Sequence, residues 1–160
     1  MAKVSLYTLV LLAIWSPVAA QNPFSGVESG NSANAVRSSA KDVSNPQSWE
    51  ETAFEIINPP YTLFKQFKPT QCTLTYHNDR LFHVRCEFSR TQFEAIYTNF
   101  VAERQVPKDR EFAKSDKSAT WYGEFKDGRF ASVLNIYQSG ARTVVSYSDE
   151  RQKDFRFTDL

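Results

Sequence analysis

The sequence has almost no net charge, and this excludes one broad class of function. It carries 19 Lys and Arg against 18 Asp and Glu. The most basic stretch, from Lys65 to Arg90, is interrupted by Asp79 and Glu87. A protein that binds nucleic acid needs clustered Lys and Arg to replace the counterions of the phosphates. We therefore predict no nucleic-acid partner.

Long apolar runs are also missing, except for one at the N-terminus. Met1–Lys3 is a short basic start, Val4–Trp15 is apolar, and Pro17–Ala20 supplies small residues before Gln21. This layout is typical of a cleavable secretory signal peptide, and the run is too short to span a bilayer as a stable helix. We predict a signal peptide at 1–20 and a soluble periplasmic or secreted product without an integral membrane segment.

Cysteine is scarce, which simplifies the redox chemistry. The chain has only Cys72 and Cys86, an even pair that an oxidising compartment would join. The segments 72–76 and 82–88 alternate at period two, and pairing them as a hairpin sets Cys72 opposite Cys86 on the apolar face. Because the sequence contains no Cys-X-X-Cys motif, we predict a structural disulfide rather than a reactive pair.

The segment 21–47 has no periodic apolar residues and is rich in Ser, Asn, Ala and Gly. Such a composition predicts a flexible linker. Aromatic residues become dense from Trp49 onward. We therefore predict one α+β domain at 48–160.

Two capping-box spacings predict two helices. Ser48–Glu51 precedes a short run that we expect to be a first helix, and Ser89–Gln92 precedes the main helix. The stretch 61–67 is apolar but aperiodic, and it reads equally as a strand or an irregular arm. The apolar residues at helical spacing are Trp49, Ala53, Ile56 and Ile57 in the first helix, and Phe93, Ile96, Tyr97, Phe100 and Val101 in the main one.

Turn signals at Asp127–Gly128 and Ser139–Gly140 separate three alternating segments. With two-residue turns at both places, Trp121 lies opposite Leu134 and Leu134 opposite Val145, so one face is apolar throughout. This predicts a three-stranded meander. The expected fold class is an α+β two-layer sandwich, in which one main helix covers an antiparallel sheet made of the hairpin and the meander.

The common catalytic motifs are missing. There is no G-x-S-x-G elbow, no H-E-x-x-H and no glycine-rich phosphate loop. His77, His83 and Asp79 are the only residues that we can name as metal ligands. Diagonal histidines on a polar sheet face and an Asp in a turn are better explained by the fold itself. We predict no metal and no cofactor, and we favour a protein that is not an enzyme.

The outer face of the meander mixes aromatic, aliphatic and hydrogen-bonding residues, as protein interfaces do. Coverage of this face by 61–67 or by the C-terminal tail is an equal alternative. We expect a binding or accessory module of the bacterial envelope or the extracellular space that acts through protein–protein contact. A small hydrolase or metal-dependent enzyme, and a small-ligand carrier with a pocket between helix and sheet, are the alternatives. The expected binding residues are Tyr122, Val133, Asn135, Tyr137, Arg142 and Val144, with Phe112 in the charged connection 103–117.

Overall fold

The chain folds around one large antiparallel sheet. The structure is a computed structural model that describes residues 22–48, 50–104, 111–115, 117–123, 125–126 and 129–153. The predicted signal peptide, Trp49, Asp127–Gly128 and the tail 154–160 lie outside these residues. The strands are β1 (Phe24–Ser25), β2 (Lys41–Asp42), β3 (Glu51–Ile57), β4 (Thr62–Leu63), β5 (Gln71–His77), β6 (Arg80–Ser89), β7 (Glu111–Ser115), β8 (Ser118–Tyr122), β9 (Phe125–Lys126), β10 (Arg129–Phe130), β11 (Ser132–Ser139) and β12 (Arg142–Asp149); the α-helix is α1 (Phe93–Arg104).

The main sheet has the order β2-β3-β5-β6-β12-β11-β8-β7, and each neighbouring pair is antiparallel. Strands β3, β5 and β6 form one meander. After α1 the chain enters at the far edge with β7 and returns through β8 and β11 to β12, which pairs with β6. The pairing of β6 with β12 therefore joins the two meanders into one continuous sheet.

One face of this sheet carries the core. Burial alternates along β5, β8 and most of β11, as a sheet with one covered face requires, whereas the central strands β6 and β12 are also buried at some outward positions. The helix packs on this face through Phe100, whose ring centroid lies 4.1 Å from that of Trp121. The buried strand residues include Phe54, Ile56, Leu74, Tyr76, Val84, Phe88, Trp121, Leu134, Ile136, Val145 and Tyr147.

The predicted fold class, a sandwich covered by one main helix, is wrong, because the protein is dominated by its sheet. Helix α1 has 12 residues and is therefore about 18 Å long. Eight strands spaced ~4.8 Å apart span about 34 Å. One helix of this length cannot cover such a sheet, so other segments complete the core.

The segment predicted as a flexible linker supplies part of that cover, so the linker prediction is wrong for its described residues. We call residues 22–48 the N-terminal arm. Phe24, Val27, Ala33 and Val36 are buried in the same core cluster as the sheet, and β1 in the arm pairs with β4. The arm lacks a regular period because it follows the core as irregular chain with short 3-10 and strand pieces. The division into a signal peptide and one domain stays a prediction.

The predicted first helix is also wrong, since residues Glu51–Ile57 form strand β3. Phe54 and Ile56 are buried while Ile57 is exposed, which is the period of a strand. Thr52 and Ile56 are β-branched and favour strands. β3 lies directly beside β5, with Ile56 opposite Cys72, so tertiary pairing decides between two local patterns.

The predicted hairpin and the predicted register of β8 against β11 are confirmed, and the predicted register of β11 against β12 is not. Cys72 lies opposite Cys86 in β5 and β6 and is bonded to it, and Trp121 lies opposite Leu134. Leu134, however, lies opposite Tyr147 rather than Val145. The reason is that Ser139 pairs with Arg142, which moves the two-residue turn one position along, to 140–141. This shift keeps every side chain on its predicted face.

Within the part of the chain that the structure describes, no helix is long and apolar enough to cross a membrane.

Candidate functional site

A row of hydrogen-bonding residues crosses the sheet on the face away from the core. The registers place Arg85 beside Ser146, Ser146 beside Asn135, and Asn135 beside Thr120. Directly opposed residues on neighbouring strands share a face and lie ~5 Å apart. We call Arg85, Ser146, Asn135 and Thr120 the polar row; it runs over β6, β12, β11 and β8.

Larger side chains border the polar row on both sides. Tyr137 and Val144 are opposed on one side, and Val133 and Tyr122 are opposed on the other. We call these the flanking pairs. The ring of Tyr122 packs against Phe130 with centroids 4.3 Å apart. The polar row is therefore enclosed by two borders that offer apolar and aromatic contact.

Hydrogen bonding and burial determine which residues of this surface are accessible. The Oγ1 of Thr120 donates to the Oδ1 of Asn135 at 2.8 Å, which orients the amide of Asn135. Ser146 is only 8% exposed and Val144 only 1%. Val144 is therefore a packing residue beneath the surface, whereas Tyr122, Val133, Asn135 and Tyr137 remain partly exposed.

An ion-pair cluster stands at the β6 and β12 end of the polar row. The Nη1 of Arg85 lies 2.9 Å from the Oε1 of Glu87, and the Nη1 of Arg142 pairs with the Oε2 of the same carboxylate. Glu87 is 8% exposed, although it lies on the face away from the core. A carboxylate with so little contact with water needs charged partners, and two guanidinium groups supply them.

Most of the residues predicted for binding are brought together on this face. Arg142, Val144, Asn135, Tyr137, Val133 and Tyr122 belong to β12, β11 and β8 and share the outer side. Phe112 pairs with Thr120 at the edge strand β7, and its side chain lies outside the described part. Residues 61–67 do not cover this face, because Phe64 contacts Phe100 of the helix with ring centroids 5.7 Å apart.

Sequence reasoning missed Glu87 and its cluster. The signal was present within one strand, because Arg85 and Glu87 alternate with the buried residues Val84, Cys86 and Phe88. Two opposite charges two residues apart on one strand lie side by side on one face. The second arginine is 55 residues further along the chain, and only the pairing of β6 with β12 brings it to Glu87.

The three residues named as metal-ligand candidates have other roles in the structure. The carboxylate of Asp79 accepts from the Oγ of Ser32 at 2.6 Å and from the amide of Ala33 at 3.1 Å. His77 and His83 each meet the ring of Phe82 edge to face, with centroids 6.4 Å and 6.2 Å apart. Among the residues described, no group of three or more His, Cys, Asp or Glu side chains is placed to hold a metal ion.

His83 has an unusual electrostatic environment. Its burial, followed by the charges of Lys153 and Arg85, lowers the pKa of His83 below the ordinary value, while Glu51 acts in the opposite direction. The Nζ of Lys153 lies 4.0 Å from the centroid of the Phe82 ring and 3.3 Å from the Oε1 of Glu51. These contacts place the turn Glu150–Gln152, which Lys153 follows, against the outer face beside the histidines.

The chemistry that the outer face offers is ion pairing, hydrogen bonding and aromatic contact. Both cysteines of the chain are joined in the disulfide, so neither supplies a thiol nucleophile. Comparison with family models, with curated proteins and with solved structures found no match for this chain.

Proposed function

We propose that this protein is an exported binding or accessory module that acts through contact with another protein. The partly exposed residues of the polar row and the flanking pairs form the contact surface, and Ser146 and Val144 lie beneath it. The observation that carries the proposal is the set of partly exposed residues Tyr122, Val133, Asn135 and Tyr137, which adjoin each other on β8 and β11. Tyrosine beside hydrogen-bonding groups is typical of the centres of protein interfaces.

The rest of the fold supports this use of the outer face. Helix α1 and the N-terminal arm both pack with the core, through Phe100 and Val36 for example. The outer face therefore belongs to a sheet whose other face is packed against the helix and the arm. A surface built on paired strands loses little conformational entropy on binding, because its backbone is already ordered.

Export to the periplasm or to an extracellular fluid is part of the proposal. The Cys72–Cys86 disulfide fits an oxidising compartment, and the first 20 residues have the layout of a signal peptide. The sequence contains no N-x-S/T glycosylation site, so we favour the bacterial periplasm.

Site-specific photo-cross-linking in the source cells tests the contact surface. A benzoylphenylalanine is introduced at Tyr137 on the outer face and, as the control, at Thr98, which is exposed on α1. We expect a discrete protein adduct from position 137 and none from position 98. Equal adducts from both positions, or none from position 137, would contradict the proposal and favour the ligand-carrier or enzyme alternatives.

A paired substitution tests the same surface without a cross-linker at the site. Tyr122→Ala with Tyr137→Ala should lower partner capture by chemical cross-linking at least tenfold, since aromatic side chains carry much of the energy at interfaces. Val101→Ala on the helix is the matched control, because Val101 is also partly exposed, at 38%. Unchanged capture by the double variant would exclude the flanking pairs as contacts.

A further inference from the structure

We propose that the outer face binds an extended acidic peptide segment of the partner, with the partner's carboxylates paired to Arg85 and Arg142. This rests on the proposed function and adds the chemistry of the partner. The segment would lie along the polar row, with its other side chains against the partly exposed Tyr122, Val133 and Tyr137.

The first step of the argument is local charge. Three charged side chains form the ion-pair cluster on the outer face: the cations Arg85 and Arg142 and the anion Glu87. A single carboxylate is thus shared by two guanidinium groups, and one positive charge is left over. A partner carboxylate would neutralise this excess, which is the charge complementarity that selects partners at interfaces.

The second step is the supply of donors. Each arginine reaches Glu87 through one nitrogen, Nη1, whereas a guanidinium carries five N–H donors arranged to match carboxylates. The side chains of Arg85 and Arg142 are 37% and 54% exposed, so the remaining donors are open to a ligand. Glu87 holds both groups in place before binding, and this lowers the entropy that binding would cost.

The third step is shape. Four strands spaced ~4.8 Å apart make the polar row about 14 Å long, which matches four or five residues of an extended peptide. Asn135 and Thr120 are partly exposed and present amide and hydroxyl groups along that length, while Ser146 lies beneath them at 8% exposed. Extended backbone offers an N–H and a C=O at each residue, so it suits such a row.

The same features disfavour a nucleic acid or another polyphosphate as the occupant. The whole chain carries a formal net charge of only +1, and Glu87 lies between the two arginines. Affinity for a polyphosphate rises with the number of phosphates neutralised, and this cluster has one spare charge. A segment with one or two carboxylates among neutral residues fits that number better.

Fluorescence anisotropy with defined probes tests the proposal on the full mature chain. The probe is a fluorescein-labelled eight-residue peptide with two Glu among six Ser, and its control replaces each Glu with Gln. We expect the Glu peptide to bind at least tenfold more tightly, and Arg85→Gln or Arg142→Gln to weaken it about tenfold each, as the loss of a charge-assisted hydrogen bond implies. Arg142→Lys keeps the charge but not the planar donor set, and it should weaken binding by a smaller factor.

Arg37→Gln is the matched control for net charge. Arg37 is exposed on the N-terminal arm, 5.9 Å from the ring of Phe54 in the core, and its loss changes the net charge by the same unit. It should leave the affinity unchanged. If Arg37→Gln weakens binding as much as Arg142→Gln does, the effect is one of overall charge and the proposal is overturned.

The remaining outcomes separate this inference from the proposed function. If the Gln peptide binds as well as the Glu peptide, or neither binds, the acidic partner is excluded; adducts from position 137 would then leave the protein-binding function standing. If neither peptide binds and position 137 yields no adduct, both proposals fail. If a single-stranded oligonucleotide of similar length binds more tightly than the Glu peptide and depends on the same arginines, the occupant is a polyphosphate and the peptide proposal is overturned.

Discussion

Asp79 is hydrogen-bonded to Ser32, which lies 47 residues earlier in the chain; the Oδ2 of Asp79 accepts from the Ser32 hydroxyl at 2.6 Å. The same carboxylate accepts from the amide of Ala33 through Oδ1. Asp79 lies in the tight turn between β5 and β6 at φ +64°, a conformation that Asp and Asn tolerate better than most residues. A turn residue thereby fastens the N-terminal arm to the sheet, and both of its carboxylate oxygens are used.

Replacing Asp79 should loosen the arm. We expect Asp79→Ala to lower the free energy of unfolding by about 1–2 kcal/mol, since it removes two hydrogen bonds to the arm and places Ala at a positive φ. Urea denaturation measures this loss. Trypsin cleavage at the exposed Arg37 should also become faster.

Asp79→Asn is the control for the turn, because Asn accepts the same backbone conformation and keeps one acceptor oxygen. It should lose less stability than Asp79→Ala. If both variants match the wild type in denaturation and in tryptic cleavage, the Asp79 contacts do not fasten the arm.

The hairpin of β5 and β6 was predictable because its signals are local and agree. Apolar and polar residues alternate along β5 and along residues 84–88 of β6, and the apolar residues include both cysteines. The meander register from Trp121 to Leu134 was predictable for the same reason. Where the turn could be centred on either of two positions, at 139–140 or 140–141, alternation fixed the faces but not the partners.

Strand β3 and the N-terminal arm were not predictable in the same way. In β3, Ala53, Ile56 and Ile57 fit a helical face while Phe54 and Ile56 fit a strand face, and a run of seven residues is too short to decide. The arm contains scattered apolar residues at no fixed period, and they become a core segment only because the sheet offers uncovered surface. Both outcomes depend on tertiary contacts that a local pattern does not contain.

Alternation along the strands predicted the outer-face residues of β8 and β11, but it did not predict the ion-pair cluster. Tyr122, Val133, Asn135 and Tyr137 were assigned to one outer face because side chains alternate along strands. The pairing of Glu87 with Arg142 spans 55 residues and requires β6 to lie beside β12. The sequence-based prediction put the hairpin and the meander in one antiparallel sheet but gave no strand order between them, so it could not place these two side chains together.

The disulfide should stabilise the fold without being accessible to mild reductant. Cys72 and Cys86 are fully buried and 14 residues apart. We expect Cys72→Ala with Cys86→Ala to lower the free energy of unfolding by about 3 kcal/mol. The disulfide closes a loop that restricts the unfolded chain, and the double substitution removes that restriction. Chemical denaturation measures the change, and intact mass after alkylation reports the thiols. Two thiols that alkylate freely in the untreated native protein would refute the bond.

The contact between Phe100 and Trp121 should be a major part of the core. Phe100 is 1% exposed, and truncating a buried aromatic side chain costs about 3–5 kcal/mol. We expect Phe100→Ala to shift the urea midpoint accordingly. Val101→Ala, one position along the helix and 38% exposed, should cost less than about 1 kcal/mol. Similar midpoints for the two variants would mean that α1 does not depend on this contact.

His83 should make stability depend on pH below neutrality. Its burial, then the charges of Lys153 and Arg85, lower its pKa in the folded state from the ordinary value of 6.5. The folded protein therefore binds fewer protons than the unfolded chain once the pH falls below about 6.5. The stability due to neutral His83 is complete above that pH and is lost as the pH falls through the folded pKa.

Urea midpoints at pH 7, 6 and 5 measure this dependence. The wild type should lose stability across this range, and His83→Gln should lose less, because Gln has no proton to bind. Lys153→Gln removes one of the cations that disfavour protonated His83, so its slope should lie between the other two. If the wild type and His83→Gln lose stability equally between pH 7 and 5, carboxylates rather than His83 control the acid sensitivity of the fold.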